Sequence, residues 1–348
     1  MQRFNTNIIL NEKETQQRKI KLDSFTQRLI VTLSSRCNLD CIMCEVKKTG
    51  WDIPHKIIQE AIGLLPYLES VIWQGGEPFL LEYFEDIFEQ ASKFVNLKQM
   101  IVTNGLLITE AWAEKLVKNN VELTFSIDGI TKEIYEHIRN GAKFDDVIRS
   151  LKIIRNARSK YNSQRMSMRL HVVVMKSNYH QLDGFIDFAR EYGFDAIHLI
   201  SMWGSRGSQE DIFCHQEKEP LNYISSIRNK LEEKAKRYNI KLLNALPCGK
   251  DNPNNGSCHT ENSSTANGLS CNVPWQQLNI DPGGGVRPGC LCLKTVGSVL
   301  ENSLSELWNN ELMQLYRGKI IEKNFDPICN LTCLSVQISE QLKKCKSC

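Results

Sequence analysis

The residues best equipped for chemistry are Cys37, Cys41 and Cys44, three thiols within eight residues in the stretch Ser34-Ser35-Arg36-Cys37-Asn38-Leu39-Asp40-Cys41-Ile42-Met43-Cys44. Thiolates favour soft and borderline metals, and their number decides what the metal can do. An iron–sulfur cube held by four thiolates is coordinatively closed and passes electrons, whereas a cube held by three keeps one iron free for a ligand that is not protein. An open metal position is where substrate chemistry happens. A zinc knuckle or a set of buried thiols is the competing reading. Zinc wants a fourth His or Cys nearby, and Trp51 to His55 supplies only His55, eleven residues beyond Cys44.

The elements that must position these thiols follow from the hydrophobic pattern. Arg28 to Ser34 is a β-branched run of strand length that ends where the cysteines begin, so the thiols fall on a loop at the carboxyl end of a strand. Helices are expected over Pro54 to Leu65, with proline in the first turn, and around Phe84, Ile87, Phe88, Ala91 and Phe94, which share one face. Further helices are expected over Thr109 to Lys118, Asp145 to Arg158, Gln181 to Tyr192 and Leu221 to Tyr238. Strands are expected at Ser70 to Trp73, Gln99 to Thr103, Val121 to Ile127, Leu170 to Met175 and Ala196 to Ser201. Six strands alternating with helices imply an α/β fold with a parallel sheet and right-handed crossovers, doubly wound or curled toward a barrel. Periodicity does not choose between those two. In both, ligands collect outside the carboxyl ends of the strands.

The loops at those ends are informative. Gln74-Gly75-Gly76-Glu77-Pro78 follows the second strand, and its glycines let the backbone approach a ligand while a carboxylate fixed before proline accepts hydrogen bonds from an ammonium group. An ordinary strand-to-helix turn is the plain alternative. Thr103-Asn104-Gly105 follows the third strand and Ser126-Ile127-Asp128-Gly129 the fourth.

Together with the thiols, these loops resemble the radical S-adenosylmethionine (radical SAM) family. The resemblance implies a partial (β/α)6 barrel of TIM type, and an open iron that chelates the amino and carboxylate groups of S-adenosylmethionine. It implies that Gly75, Gly76, Glu77 and Pro78 receive the methionine amino group. Asn104, Ser126 and Asp128 then contact the cofactor's methionine and ribose ends. Arg139 matches a recurring arginine, with a charge on a helix surface as the plain alternative. Met43 stands where the family usually carries an aromatic residue against the adenine, and a thioether also lies well against a ring.

A second cysteine-rich region begins where composition changes. Pro247 to Asn272 is rich in Asn, Ser, Gly and Cys and marks the boundary of a smaller domain. The expected division is an N-terminal extension over 1–27, with a short strand at Asn7 to Leu10 and no chemistry, a core over 28–246 and the smaller domain over 247–348. Cys271 to Cys290 reads as a β-hairpin bracketed by thiols, followed by Ser303 to Trp308 and by Cys329 and Cys333. This resembles the SPASM or twitch extension of radical SAM enzymes, a hairpin plus helix holding auxiliary 4Fe-4S clusters. Cys271, Cys290, Cys329 and Cys333 suffice for one cube. Cys248, Cys258, Cys345 and Cys348 are available for a second, but the spacing of the last four cysteines departs from the usual run, and zinc at Cys345 to Cys348 competes. Cys214 and Cys292 are left over. Cys214, in a loop after the sixth strand, is either an inert thiol or a hydrogen-atom donor to a substrate radical.

Composition sets the frame. The chain has 348 residues, a formal charge of +3 and 13 cysteines. That length suggests a large domain plus a smaller one. There is no basic run with interleaved aromatics to suggest nucleic acid, and no apolar stretch long enough for a membrane span or signal peptide, so a cytoplasmic protein is expected. In a reducing compartment, thiols at motif spacing point to metal or redox work.

The expected activity is reductive cleavage of S-adenosylmethionine to a 5′-deoxyadenosyl radical that abstracts a substrate hydrogen. The resemblance also implies an external electron donor of flavodoxin or ferredoxin type. Relatives with this extension often modify ribosomally made peptides by oxidation, cross-linking or epimerisation, and a peptide substrate is expected. A sugar or other small metabolite is the enzymatic alternative. A non-catalytic zinc or iron–sulfur scaffold is the other, but it gives no reason for Gly75 to Pro78.

Overall fold

The computed structural model describes residues 2–46, 49–163, 165–202, 206–246, 271–289 and 294–322. In chain order the elements are α1 (Gln2–Gln16), β1 (Arg28–Thr32), α2 (His55–Leu64), β2 (Ser70–Gln74), α3 (Phe84–Ser92), β3 (Lys98–Thr103), α4 (Glu110–Lys118), β4 (Val121–Ser126), α5 (Lys132–Ile138) and α6 (Phe144–Lys160). They continue with β5 (Ser167–Val174), α7 (Leu182–Tyr192), β6 (Ala196–Ser201), α8 (Lys218–Arg237), β7 (Lys241–Asn244), α9 (Val273–Gln276), β8 (Gln277–Ile280), β9 (Gly285–Arg287), β10 (Gly297–Ser298), α10 (Leu304–Trp308) and α11 (Glu311–Ile321). The fold is α/β, and each of β1 to β6 is followed by helix, the (β/α)6 order expected.

The chain forms two compact units, one of Met1–Arg36, Thr49–Met100 and Ser264–Cys348, the other of Cys37–Lys48 and Ile101–Ser263. In the first, β1 pairs in parallel with β2 on one side and β8 on the other, and β9 and β10 follow β8 antiparallel. The hairpin expected between Cys271 and Cys290 is β8–β9. In the second unit β4, β5, β6 and β7 pair in parallel in that order. The helices bury the faces the pattern assigns: Phe84, Ile87, Phe88 and Ala91 on α3, with Glu85 and Asp86 in its first turn, where the helix dipole favours acids. Thr109 caps α4 by accepting from the Trp112 amide, and Ser303 and Glu306 form a capping box on α10.

Two segments differ from expectation. The strand expected at Asn7 to Leu10 is part of α1, because the face α1 turns to its unit is polar. Asn7, Asn11, Glu14 and Thr15 are buried there. Asn11 Nδ2 donates to Ser24 Oγ, the Phe25 carbonyl and, at 2.7 Å, the Trp275 carbonyl, so apolar periodicity had nothing to report. The helix α5, whose last turn leads into Arg139, was not expected as an element, and Arg139 is buried rather than a surface charge.

Candidate functional site

In the first unit the end of β1 meets the loop after β2. Gly75 and Gly76 have φ of +92° and +57°, and a Cβ on Gly76 would sit 2.0 Å from the Arg36 carbonyl oxygen. The Glu77 amide donates to that same oxygen at 2.8 Å. The glycines therefore let the loop close onto the residue just before Cys37. Glu77 is fully buried, and its carboxylate accepts from the Phe79 amide at 3.2 Å, capping the short turn that Pro78 opens. Arg36 is fixed by Asp52 at 2.9 Å and Glu82 at 2.8 Å.

In the second unit the cysteine loop is held like an added strand: the Asp40 amide donates to the Asn140 carbonyl and the Ile42 amide to the Ile138 carbonyl. Donors converge on its sulfurs. Cys37 Sγ accepts from the Leu39 amide at 3.4 Å and from Asn104 Nδ2 at 3.9 Å, and Cys41 Sγ from Arg139 Nη1 at 3.8 Å. Asn104 also donates to Asn38 Oδ1 and accepts from the Leu106 amide, which sets its amide plane. Gly105 is obligatory there, since a Cβ would meet the Phe125 ring at 2.6 Å.

Behind the loop lies a buried ion pair, Arg139 Nη2 to Asp128 Oδ2 at 2.6 Å. Asp128 Oδ1 accepts from the Val173 amide at 2.7 Å. Burial disfavours the guanidinium charge, but Asp128, Cys41 and Tyr135 outweigh it and raise its pKa, so Arg139 stays a cation. Burial pushes the Cys41 thiol up against the pull of Arg139, and the charges of Asp128, Cys44 and Cys37 push it further.

Met43 and Ile42 pack with Val173 on a cluster of Ile138, Met175 and Met202. Ser126 ends β4, half-buried. The loop after β6 fastens the cysteine loop in a way the sequence did not signal. The Arg206 amide donates to Glu45 Oε1 at 2.6 Å, and its guanidinium bonds Asp40 Oδ1 at 2.7 Å and the Cys44 carbonyl at 3.4 Å. Gly207, at φ +69°, leaves no room for a Cβ beside the Ile42 carbonyl. Cys214 is exposed, its amide bonded to Asp211 Oδ1.

Cys271 is half-buried, its carbonyl accepting from Arg18 Nη1 at 3.2 Å. Cys248, Cys258, Cys290, Cys329, Cys333, Cys345 and Cys348 lie outside the described residues. Among the described residues no three His, Cys, Asp or Glu side chains already stand as a metal-ligand set. The fit of an iron–sulfur cluster to the first site rests instead on three thiols carried by one loop and on the donors aimed at the sulfurs of Cys37 and Cys41, the kind that tune such clusters. A recess of about 500 Å³ in the first unit, lined by Arg3, Phe4, Phe94 and Leu97 among others, contains none of the predicted site residues.

Residues 31–189 match the model of the radical SAM superfamily, and residues 271–348 match that of an iron–sulfur cluster-binding domain, SPASM. The chain belongs to the radical SAM superfamily. Iron–sulfur clusters and S-adenosylmethionine are the cofactors of this radical SAM protein. A probable GTP 3′,8-cyclase of Sulfurisphaera tokodaii is 29% identical to it over 63% of this chain and 68% of its own length. A cysteine-type anaerobic sulfatase-maturating enzyme of Clostridium novyi is 27% identical over 49% of this chain and 50% of its own. Among solved structures, Streptococcus suis SuiB bound to S-adenosylmethionine matches with a TM-score of 0.64 at 18% identity, covering 91% of this chain and 71% of SuiB. SuiB has also been solved bound to its precursor peptide SuiA, and matches with a TM-score of 0.64 at 17% identity over 89% of this chain and 70% of SuiB. At these identities the likeness to SuiB is one of fold. No helix among the described residues is long and apolar enough to cross a membrane.

Proposed function

We propose that this radical SAM protein modifies a ribosomally made peptide by oxidation, cross-linking or epimerisation, with Cys37, Cys41 and Cys44 as ligands of the catalytic cluster. The observation that carries the reading is the convergence of Asn104, Arg139 and the Leu39 amide on the sulfurs of a loop with one thiolate fewer than a closed cube needs. When bound, the reduced cluster supplies the electron that cleaves S-adenosylmethionine to methionine and a 5′-deoxyadenosyl radical, which takes a hydrogen atom from the substrate.

The chain's own residues bind and orient. On this reading the Gly75 to Pro78 loop receives the ammonium group of the methionine, and Asn104 and Ser126 line the cofactor's methionine and ribose ends, while Asp128, buried on Arg139 and the Val173 amide, acts there through that arginine. Asp128 and Arg139 fix each other, so that one arm of the guanidinium remains directed at Cys41. Ile42, Met43, Val173, Met175 and Met202 keep water from the underside of the loop. Cys271, Cys290, Cys329 and Cys333 hold an auxiliary cluster, with Cys248, Cys258, Cys345 and Cys348 for a second. Cys214 serves as hydrogen donor only in an epimerising enzyme. A flavodoxin- or ferredoxin-type protein delivers the electron.

The peptide-bound SuiB structure and the sulfatase-maturating relative support a peptide substrate, and the cyclase relatives support a nucleotide as the second reading. The test is anaerobic reconstitution, then dithionite and S-adenosylmethionine with either a short peptide encoded beside this gene or GTP. A mass change in the peptide with 5′-deoxyadenosine formation is expected. Consumption of GTP with the peptide untouched would replace the reading, and a wild type that forms no 5′-deoxyadenosine would end it.

A further inference from the structure

One face of β4, β5 and β6 is polar where a sheet buried on both sides would be apolar. Across that face the register sets Ser126 beside His171 and His171 beside His198. Two residues back along β5, Arg169 pairs with Glu122 at 2.7 Å. Two residues forward, Val173 packs on the same cluster as Ile42 and Met43 of the cysteine loop. Alternate strand residues lie about 7 Å apart, so the histidine row sits one step from the residues that carry that loop.

The two imidazoles stack, with ring centroids 5.0 Å apart and planes 8° from parallel. Burial pushes His171 down to about 4, with Arg139 and Arg169 adding to it. Burial, then His171 and Arg169, push His198 down to about 4. The rings are therefore neutral near pH 7, and the charges that set their protonation are cations. The nearby carboxylates Glu122 and Asp128 are taken up by Arg169 and Arg139. His171 Nε2 and Arg169 Nε are buried with no hydrogen-bond partner, and His171 and His198 are each half-buried as whole residues. Native proteins leave few buried polar atoms unpaired, and those they leave usually wait for something else.

We propose that the stacked His171 and His198, with Arg169 beside them, bind a carboxylate of the substrate. The proposal rests on the peptide reading above and narrows it to a peptide that presents an acidic side chain or its C-terminus to this face. A carboxylate accepts two hydrogen bonds and brings one negative charge, which matches two imidazole donors in a field set by cations. A polyphosphate is better served by the converging amides of a glycine-rich loop or helix N-terminus, and this row is built of strand side chains.

The test is an NMR titration of histidine-labelled holoenzyme with propionate as the carboxylate and, separately, inorganic phosphate at equal ionic strength. Propionate is expected to raise the pKa of both imidazoles saturably by about one unit, which corresponds to about tenfold preference for the protonated rings. Phosphate is expected to leave them unmoved. His198→Gln should abolish the response at His171, and Arg169→Gln should weaken propionate about tenfold. Imidazoles that ignore propionate in the wild type, an equal response to phosphate, or a response at His171 that survives His198→Gln would each overturn the site. The titration needs no turnover, so failure to form 5′-deoxyadenosine strikes the enzyme reading alone, and silent imidazoles strike this site alone.

Discussion

Arg139 Nη2 lies 2.6 Å from Asp128 Oδ2 in a place where both side chains are almost fully covered, and the other arm of the guanidinium reaches the Cys41 sulfur. The pair joins the loop after β4 to the cysteine loop. Removing one partner leaves a buried charge uncompensated, at a cost of about 3–5 kcal/mol, whereas replacing both by apolar residues restores much of that. Arg139→Met should lower stability in urea by that order. Arg139→Met with Asp128→Leu should recover most of it, yet reconstitute with less iron, because the donor to Cys41 is still missing. Equal iron in the double variant and the wild type would show that Arg139 acts through folding alone.

The glycines of the second loop give a contrast with a built-in control. Gly76→Ala places a methyl 2.0 Å from a backbone oxygen at a positive φ, while a methyl on Gly63 in α2 meets nothing within 4 Å. Gly76→Ala is expected to destabilise by about 1–3 kcal/mol and to weaken S-adenosylmethionine binding, read by equilibrium dialysis. Gly63→Ala should stabilise by about 0.5–1 kcal/mol and leave binding alone.

Acid should loosen the N-terminal helix. Burial pushes Glu14 up, but hydrogen bonds from Lys19, the Ser24 hydroxyl and the amides of Asp23 and Ser24 outweigh it and hold the carboxyl at about 2, below its ordinary 4.5. A depressed carboxyl stabilises fully above its unfolded value and loses that contribution as pH falls from about 4.5 through 2. Glu14→Gln should flatten stability over that window, measured by denaturant unfolding at each pH. Asn11→Ala, which strips three hydrogen bonds, should cost about 1–3 kcal/mol at every pH.

The histidine pair acts at higher pH. His171 and His198 have folded values near 4 against an ordinary 6.5, so the unfolded chain takes up protons that the folded chain refuses. Stability is therefore full above about 6.5 and falls as pH drops toward 4. The His171→Gln and His198→Gln double variant should lose that slope, and a slope unchanged in the double variant would assign it to other groups.

Arg206 ties the loop after β6 to Asp40 in the middle of the cysteine loop and to Cys44 and Glu45 at its end. Its contacts are exposed, so Arg206→Ala should barely change the melting temperature. Iron release to a chelator from the reconstituted protein should nevertheless quicken severalfold, with Arg206→Lys intermediate because it keeps the charge and loses the fork. Release at the wild-type rate would leave the loop after β6 without a part in holding the cluster.

Much of this protein is determined locally and is readable in its sequence. The alternation of β-branched runs with amphipathic helices determined β1 to β6 and the helices between them apart from the short α5, because each such segment buries one face whatever its partners are. Thiol spacing and the glycines at 75, 76 and 105 were legible for the same reason: chelation and close backbone approach restrict residue type at the position itself. Only the tertiary structure decided that α1 is a helix, since its buried face is made of Asn and Glu whose partners lie at Phe25, Ser24 and Trp275, and no periodicity records a distant carbonyl. Only it paired Arg139 with Asp128, brought Arg206 onto Asp40 and Cys44, and laid His171 on His198 across two strands. Those are relations between residues far apart in the chain, and their energies exist once the sheet has set the register.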